Sequence, residues 1–587
     1  MENVLLDKPG KKIILLGNEA IVRGALEAGV NFVSTYPGTP ASDIGDTFFK
    51  IQNSKTELPK EAKVKMRTRF SSPFKIQNLY FEYSTNEKVA LEAGIGASFS
   101  GLKTLVAMKS FGLNVALDAL LPFLYTGIKG ATVIIVADDP SCYSSAQSEE
   151  NIRPISYLAH IPTLEPSDPQ ECKDFTRLAF EISEKFKIPV MIRTTTRVAH
   201  QRAPVELGKL APYRTKGSGA GFEKDPKRFV TLPPRVLEMK KELLGKIEKI
   251  QEFSEKSKIN KIDIGVTYAN SGIITSGVSY LYVMEALKEL NLNLPVLKLG
   301  FFYPLPEKKI GEFIKNPSTR AKLGAGLVPH RNEVSGAGFK KVLVVEELEP
   351  YLEKEVERLA KNVNPKIQIF GKNLIPEIGE LKPEIVTSAI AKFANCKLKI
   401  ENLKLKIPKR FPILCPGCPY WLVISAIKKA VDVNKVIFGG EIGCYMLFGN
   451  PPVNLQDYLS CMGSSVGIAH GIKKSTGQKI ISFVGDSSFF HAGIPALINT
   501  VFNKSNPLIV ILENQTTAMT GHQPHPGAPV IPNGIKIEEI VRACGVKNLK
   551  VIDPINQEEF SQTVKEFLEK KEVSVIIARR PCIFVKK

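Results

Sequence analysis

Long apolar runs are missing from this 587-residue chain. No stretch reaches the 18 or more apolar residues of a membrane-spanning helix, so no membrane partner is expected. The amino-terminal "MENVLLDKPGKKIILLGNEA" has neither a long apolar core nor a small-residue cleavage site, and the reading is of a cytoplasmic protein without a signal peptide. Interleaved basic and aromatic residues are also absent. The formal charge is +20, yet the lysines are dispersed over stretches such as "KKELLGKIEKIQEFSEKSKINK" and "KLKIENLKLKIPKR". Such charge reads as solvated faces able to steer an acidic substrate or electron carrier, and no nucleic-acid partner is expected. Nine cysteines include one CxxC; there is no second CxxC, and no paired histidines complete a zinc site in the block that carries it. This argues against a disulfide framework and for reduced thiols, some of them candidates for metal binding.

What is present is an α/β pattern, short β-branched runs alternating with helical periodicity, which implies parallel sheets. Three blocks carry it, with no fixed-period repeat. Residues 1–205 hold "KKIILLG", "TLVAMKS", "ATVIIVADD" and "PVMIRTTT" as strands. A basic, weakly structured connector is expected over 206–260. Residues 261–385 form a smaller block, with "STRAKLGAGLVPHRNEVSGAGF" as a surface insertion, and 386–407 read as a linker. Residues 408–587 carry "KVIFGG", "KIISFVGD", "PLIVILEN", "LKVID" and "VSVIIARR". Ligands of parallel sheets gather at the carboxyl ends of strands. Those ends read "YPGTPAS", "GEIGCY", "VGDSSFF" and "LENQTTAMTG", rich in the small and polar residues that let a backbone approach phosphate.

Asp486 follows one apolar strand and Asn514 ends the next, 28 residues later. A carboxylate, an amide oxygen and the Thr516 carbonyl at adjacent strand ends suit Mg²⁺ completed by phosphates and water. The plainer alternative is a strand-ending turn and a helix cap. The spacing of GD and N is that of the thiamine-diphosphate fingerprint, with Ser487 where a glycine is usual. Such a cofactor needs a carboxylate on its pyrimidine ring, and "NEKVALEAG" offers Glu87 and Glu92. Glu87, at the strand-to-helix junction, is preferred; a helix N-terminal acid is the structural alternative. Cys415 and Cys418 form the CxxC, and Cys444, Cys461 and Cys582 follow. By spacing alone these thiols fit an iron–sulfur cluster, a zinc half-site or an ordinary core.

Twelve collinear segments decide between these. They are "LLGNEAIVRGALEAGV", "YPGTPAS", "NEKVALEAG", "GLNVALDAL", "VADDP", "LEPSDPQE", "RTTTRVAH", "CPGCPY", "GEIGCY", "CMGSSVGIAHG", "GDSSFFHAGIPALIN" and "TTAMTGHQPHPG". Over nearly its whole length the chain resembles the larger subunit of the indolepyruvate:ferredoxin oxidoreductases, a group of thiamine-dependent 2-oxoacid:ferredoxin oxidoreductases. The resemblance implies a pyrimidine-binding domain, a transketolase-C-terminal-like domain and a diphosphate-binding domain, in that order. It places Glu87 on the pyrimidine, Tyr36, Pro37 and Gly38 against the cofactor, and Thr39 at the substrate end. Gly443, Gly463, Ser464, Gly485, Ser487 and Gly521 surround the diphosphate, while Asp486, Asn514 and Thr516 hold Mg²⁺. Cys415, Cys418, Cys444 and Cys582 match the ligands of a [4Fe–4S] cluster, with Cys461 spare. His522 and His525 are candidates for proton transfer.

The implied reaction is oxidative decarboxylation of indolepyruvate or another arylpyruvate, with coenzyme A taking the acyl group and electrons leaving singly through the cluster. A cluster-free, non-oxidative 2-oxoacid decarboxylase is the alternative. A smaller beta subunit, assembly as a dimer of heterodimers, and ferredoxin or a ferredoxin-like chain are the implied partners. Relatives continue into a ferredoxin-like module where this chain stops at Lys587, so another polypeptide is expected to carry electrons onward. Two further departures stand out. Tyr420 replaces a usual histidine. "VADDP" lacks the arginine that anchors the substrate carboxylate in pyruvate-using relatives, leaving Arg153, Arg193 and Arg197 as possible replacements.

Overall fold

A computed structural model describes residues 3–53, 79–144, 147–211, 221–263, 270–315, 339–396, 412–529 and 534–585. The expected surface insertion lies outside the described residues. Among these, helices alternate with mostly parallel sheets, and no helix is long and apolar enough to cross a membrane. The chain divides into two compact units, 1–82 with 87–401, and 83–86 with 402–587.

The first unit holds two large sheets. One runs in the order Phe301–Tyr303, Thr163–Leu164, Val190–Thr195, Thr132–Asp138, Thr104–Lys109, Phe32–Thr35 and Tyr80–Tyr83. Its five inner strands are parallel. Thr132–Asp138 and Val190–Thr195 are buried at every residue, as strands covered on both faces must be. The second sheet orders Gln368–Phe370, Lys341–Val345, Ser271–Ser276, Val296–Leu299 and Lys261–Asp263, the last antiparallel to its neighbour. Phe301–Tyr303 leaves this second block to pair antiparallel with Thr163–Leu164 of the first sheet. That crossing ties the first two sequence blocks into one unit.

Three expectations fail here. "KKIILLG" does form a strand, Lys12–Leu16, but it pairs antiparallel with Arg202–Glu206 in a separate two-stranded sheet. Its Ile14 is 63% exposed, which a covered parallel strand cannot tolerate. The "weakly structured" connector contains the 22-residue helix Arg235–Lys256. Met239, Leu243 and Ile250 recur at helical spacing on its buried face, a period hidden among lysines and glutamates. Likewise the expected linker opens inside the helix Pro383–Phe393.

Where the carboxyl ends of the two sheets of this unit meet, the contact is ionic. Arg153 donates to both oxygens of Glu165 at 2.7 and 2.8 Å and lies 3.6 Å from Glu346. Arg193 pairs with Asp138 at 2.7 Å and Glu165 at 3.3 Å. Burial would raise Glu165, but the two guanidiniums overcome it and hold the carboxyl at about 2. Burial pushes Glu347, in the same seam, up to about 7. Arg153→Met strands two buried carboxylates, and a loss of about 3–5 kcal/mol is expected by urea denaturation. A loss below about 1 kcal/mol would contradict this seam.

The second unit is one parallel sheet in the order Tyr458–Leu459, Ile437–Gly440, Ile480–Gly485, Leu508–Glu513, Ser574–Arg579 and Asn548–Ile552. Ile480–Gly485 and Leu508–Glu513 lie side by side at its centre and are buried at every residue.

Candidate active site

Because those two central strands are parallel neighbours, their carboxyl ends place Asp486 and Asn514 together. Asp486 accepts the backbone N–H of Gln515 at 2.7 Å and of Ser487 at 2.9 Å. Gln515 has a left-handed φ of +68°, an uncommon conformation for a side-chain-bearing residue and one that reverses the chain here. The reversal lets the Thr516 N–H donate back to Asn514 Oδ1 at 3.0 Å. The Thr516 carbonyl accepts Ala518 N–H at 3.0 Å and keeps a second lone pair. Thr517 closes the loop, its hydroxyl donating to Ser487 Oγ at 3.1 Å. One carboxylate, one amide oxygen and one carbonyl are thus brought together, a hard-oxygen set.

Beside it, Gly463 leads into the helix Ser464–Thr476. The Ser464 and Ser465 hydroxyls are buried without a hydrogen-bond partner among the described residues. Unpartnered hydroxyls at a helix N-terminus suit the oxygens of a diphosphate. Sequence reasoning missed Glu441, buried behind this loop; Tyr445 donates its hydroxyl to it, and the Gly485 N–H does so at 3.3 Å. Burial pushes Glu441 up to about 8. Its only signal was "GEIG", ending a strand.

Cys582 is held at the same strand ends. Cys582 donates its backbone N–H to the Asn514 carbonyl at 3.0 Å, and Arg580 donates to the Glu513 carbonyl at 3.1 Å. The tail is therefore laid along the end of Leu508–Glu513, with Arg580 also paired to Asp553 at 2.8 Å. Burial, then the charges of Cys418, Cys582 and Cys415, raises the Cys444 thiol to about 12. Cys418 is raised to about 11, by burial and then by Cys415 and Cys582. Four thiols thus act on one another, whereas Cys461 is exposed and is not among them. Among the described residues, no group of three or more His, Cys, Asp or Glu side chains is placed to hold a metal ion.

Tyr420 joins the two sets. Its oxygen accepts a hydrogen bond from Asn514 Nδ2 at 2.8 Å, which turns Oδ1 the other way. Burial, then the charges of Asp486, Cys444 and Cys418, keeps this hydroxyl protonated. His525 is buried, its Nε2 3.1 Å from Asp486 Oδ2 without the alignment of a hydrogen bond. Its Nδ1 accepts the Gly527 N–H at 3.2 Å. His522 is exposed, with its ring near Phe584.

In the first unit, Glu87 starts the helix Glu87–Phe99 and is buried, while Glu92 on the same helix is exposed. A Cβ on Gly112 would lie 2.5 Å from Glu87 Cγ and 2.8 Å from Oε1. Only glycine at 112 lets the carboxyl lie there, which gives "GLNVALDAL" a steric reason. Tyr36–Thr39 follow the strand Phe32–Thr35, with the Thr39 carbonyl accepting the Ser144 hydroxyl at 3.2 Å.

Tyr420→Phe deprives the buried Asn514 amide of its acceptor, and a loss of about 1–3 kcal/mol is expected by urea denaturation. Tyr420→His, which restores an acceptor, should recover most of it; equal loss in both variants would deny the bond this role.

Comparison with known proteins places the chain in a family. The family described as thiamine pyrophosphate enzyme, C-terminal TPP binding domain, matches residues 441–578. That of pyruvate flavodoxin/ferredoxin oxidoreductase, thiamine diphosphate-binding, matches residues 23–241. Indolepyruvate oxidoreductase subunit IorA of Methanothermobacter thermautotrophicus is 41% identical over 99% of this chain and 89% of its own length. The protein of that name from Pyrococcus horikoshii is 40% identical over 99% of this chain and 87% of its own. A solved 2-oxoglutarate:ferredoxin oxidoreductase from Magnetococcus marinus aligns at a TM-score of 0.46 and 17% identity over 65% of each chain, too distant to bear on function. The chain belongs to the family of indolepyruvate oxidoreductase subunit IorA, among the thiamine-diphosphate-dependent 2-oxoacid oxidoreductases.

Proposed function

We propose that this chain is the thiamine-binding, cluster-bearing subunit of an enzyme that converts an aryl 2-oxoacid and coenzyme A to acyl-CoA. Carbon dioxide, one proton and two electrons are released, and the electrons pass through a [4Fe–4S] cluster to ferredoxin or a ferredoxin-like chain. The names of the relatives support indolepyruvate as the substrate and a partner subunit, which this reading takes to be the smaller beta chain. Assembly as a dimer of heterodimers belongs to the same reading.

The reading is supported by the tie of Cys582 to the Asn514 carbonyl, beside Asp486, and by the influence of Cys415, Cys418 and Cys582 on the Cys444 thiol. Bound thiamine diphosphate would supply the nucleophilic carbon and the electron sink. In the second unit, the Ser464 and Ser465 hydroxyls would bind the diphosphate. Asp486, Asn514 Oδ1 and the Thr516 carbonyl would hold Mg²⁺, with Tyr420 keeping that amide oriented, His522 would transfer a proton, and Cys415, Cys418, Cys444 and Cys582 would bind the cluster. In the first unit, Glu87 would hold a proton at the aminopyrimidine ring nitrogen, and Thr39 is assigned to the substrate.

The test is the iron and acid-labile sulfide content of anaerobically prepared protein. About four of each per chain are expected. The content should fall sharply in Cys582→Ser and hold in Cys461→Ser. No iron after reconstitution would overturn the oxidative reading in favour of a non-oxidative decarboxylase.

A further inference from the structure

Each of the three arginines expected as substitutes for the missing carboxylate anchor is engaged elsewhere. Arg153 and Arg193 are buried in the ionic seam with Glu165 and Asp138. Arg197 makes a two-pronged pair with Glu380 at 2.7 and 3.1 Å. The cavity bordered by Arg153, Arg193, Ser276 and Glu347 has a volume of about 10 Å³. That is room for about one water, not a 2-oxoacid.

Another cation stands beside Thr39. Lys109 ends the strand Thr104–Lys109, the hydrogen-bonded neighbour of Phe32–Thr35, so both strands deliver their last residues to one place. A Cβ on Gly38 would lie 2.9 Å from Lys109 Cβ and 3.7 Å from Cδ, so the lysine stem runs along the Gly38 backbone. Its Nζ donates to the Ser144 carbonyl at 2.9 Å, and the Ser144 hydroxyl reaches the Thr39 carbonyl. The Phe111 ring centre is 5.5 Å from Nζ. One residue beyond Phe111 lies Gly112, which receives Glu87.

Lys109 forms no ion pair among the described residues, and two of its three N–H donors are unassigned there. Asp139 is occupied, accepting the Ser144 N–H and hydroxyl at 2.7 and 2.9 Å and the Thr196 hydroxyl at 2.6 Å. Glu150 accepts the Asn114 amide at 2.7 Å. Burial lowers Lys109 to about 8, against Asp139, Cys142, Glu87 and Glu150, all of which favour its charge. A half-buried ammonium with spare donors is what an incoming anion would complete.

We propose that the Lys109 ammonium binds the carboxylate of the 2-oxoacid, in place of the guanidinium of pyruvate-using relatives. The proposal rests on the oxidative-decarboxylation reading. The carboxylate is the group that leaves as carbon dioxide, so its anchor must hold it and then release it. An ammonium, a point donor, grips less rigidly than a two-pronged guanidinium. Contact with a group that loses its charge in the reaction strengthens substrate binding rather than lowering the barrier. Loss of Lys109 therefore falls on KM.

The test uses the enzyme assembled with its partner subunit, comparing Lys109→Met, Lys109→Gln and Lys109→Arg. KM for an aryl 2-oxoacid is expected to rise at least about 30-fold in the first two, with kcat changed less than about threefold. Lys109→Arg should recover most of the loss. Calorimetry should show a non-reacting 3-arylpropionate losing affinity in step, while thiamine diphosphate binds the variants as it binds the native chain. An active Lys109→Met or Lys109→Gln enzyme with unchanged KM and unchanged arylpropionate affinity would overturn the role of Lys109 alone. A native enzyme that binds thiamine diphosphate but oxidises no 2-oxoacid would overturn the functional reading, and the proposal with it.

Discussion

The Asn514 residue is gripped from two sides, and the second unit is organised around that grip. Its backbone carbonyl takes the N–H of Cys582, and its side-chain amide donates to Tyr420. The first bond lays the end of the chain across the end of Leu508–Glu513. The second links the oxygen-ligand loop to the helix that begins just after the CxxC. Without them Cys582 would belong to a free tail, and Asn514 could turn either face toward a cation. Cys582, far along the chain from the CxxC and Cys444, is brought to the end of Leu508–Glu513 by the first of these bonds.

The first unit spends its carboxyl-edge arginines on structure. Arg153 and Arg193 compensate a cluster of buried acids where two sheets abut, and Arg153 also lies against the Phe302 ring. Such buried pairs are costly to break, and the cavity beside them has room for about one water, not a 2-oxoacid. Among the described residues, Lys109 lies outside the seam, on a strand next to the one that ends at the Tyr36–Thr39 turn.

Much of this was legible in sequence because it depends on local rules. Strand ends fall where "VGD" and "LEN" predict them, since a continuous apolar run closed by a polar residue is what a covered parallel strand requires. Glu87 was separable from Glu92 by its junction position, and the structure buries one and exposes the other. What escaped depends on tertiary context. Lys12–Leu16 looks like a sheet-opening strand, and only its exposure on folding sends it to a separate ribbon. The helix Arg235–Lys256 hides a narrow apolar stripe among charges. Glu441 and Lys109 carry no motif that marks them. Their properties come from burial, and burial comes from neighbours far away in sequence.

The central claim is that thiols and oxygen ligands share one site so that substrate electrons enter a cluster held by this chain. Anaerobic mixing of the assembled enzyme, without external acceptor, with an aryl 2-oxoacid, followed by low-temperature electron paramagnetic resonance, tests it most directly. A reduced-cluster signal that appears with substrate, and is absent in Cys582→Ser, is the expected result. Carbon dioxide release with no cluster signal in an iron-replete native enzyme would contradict it.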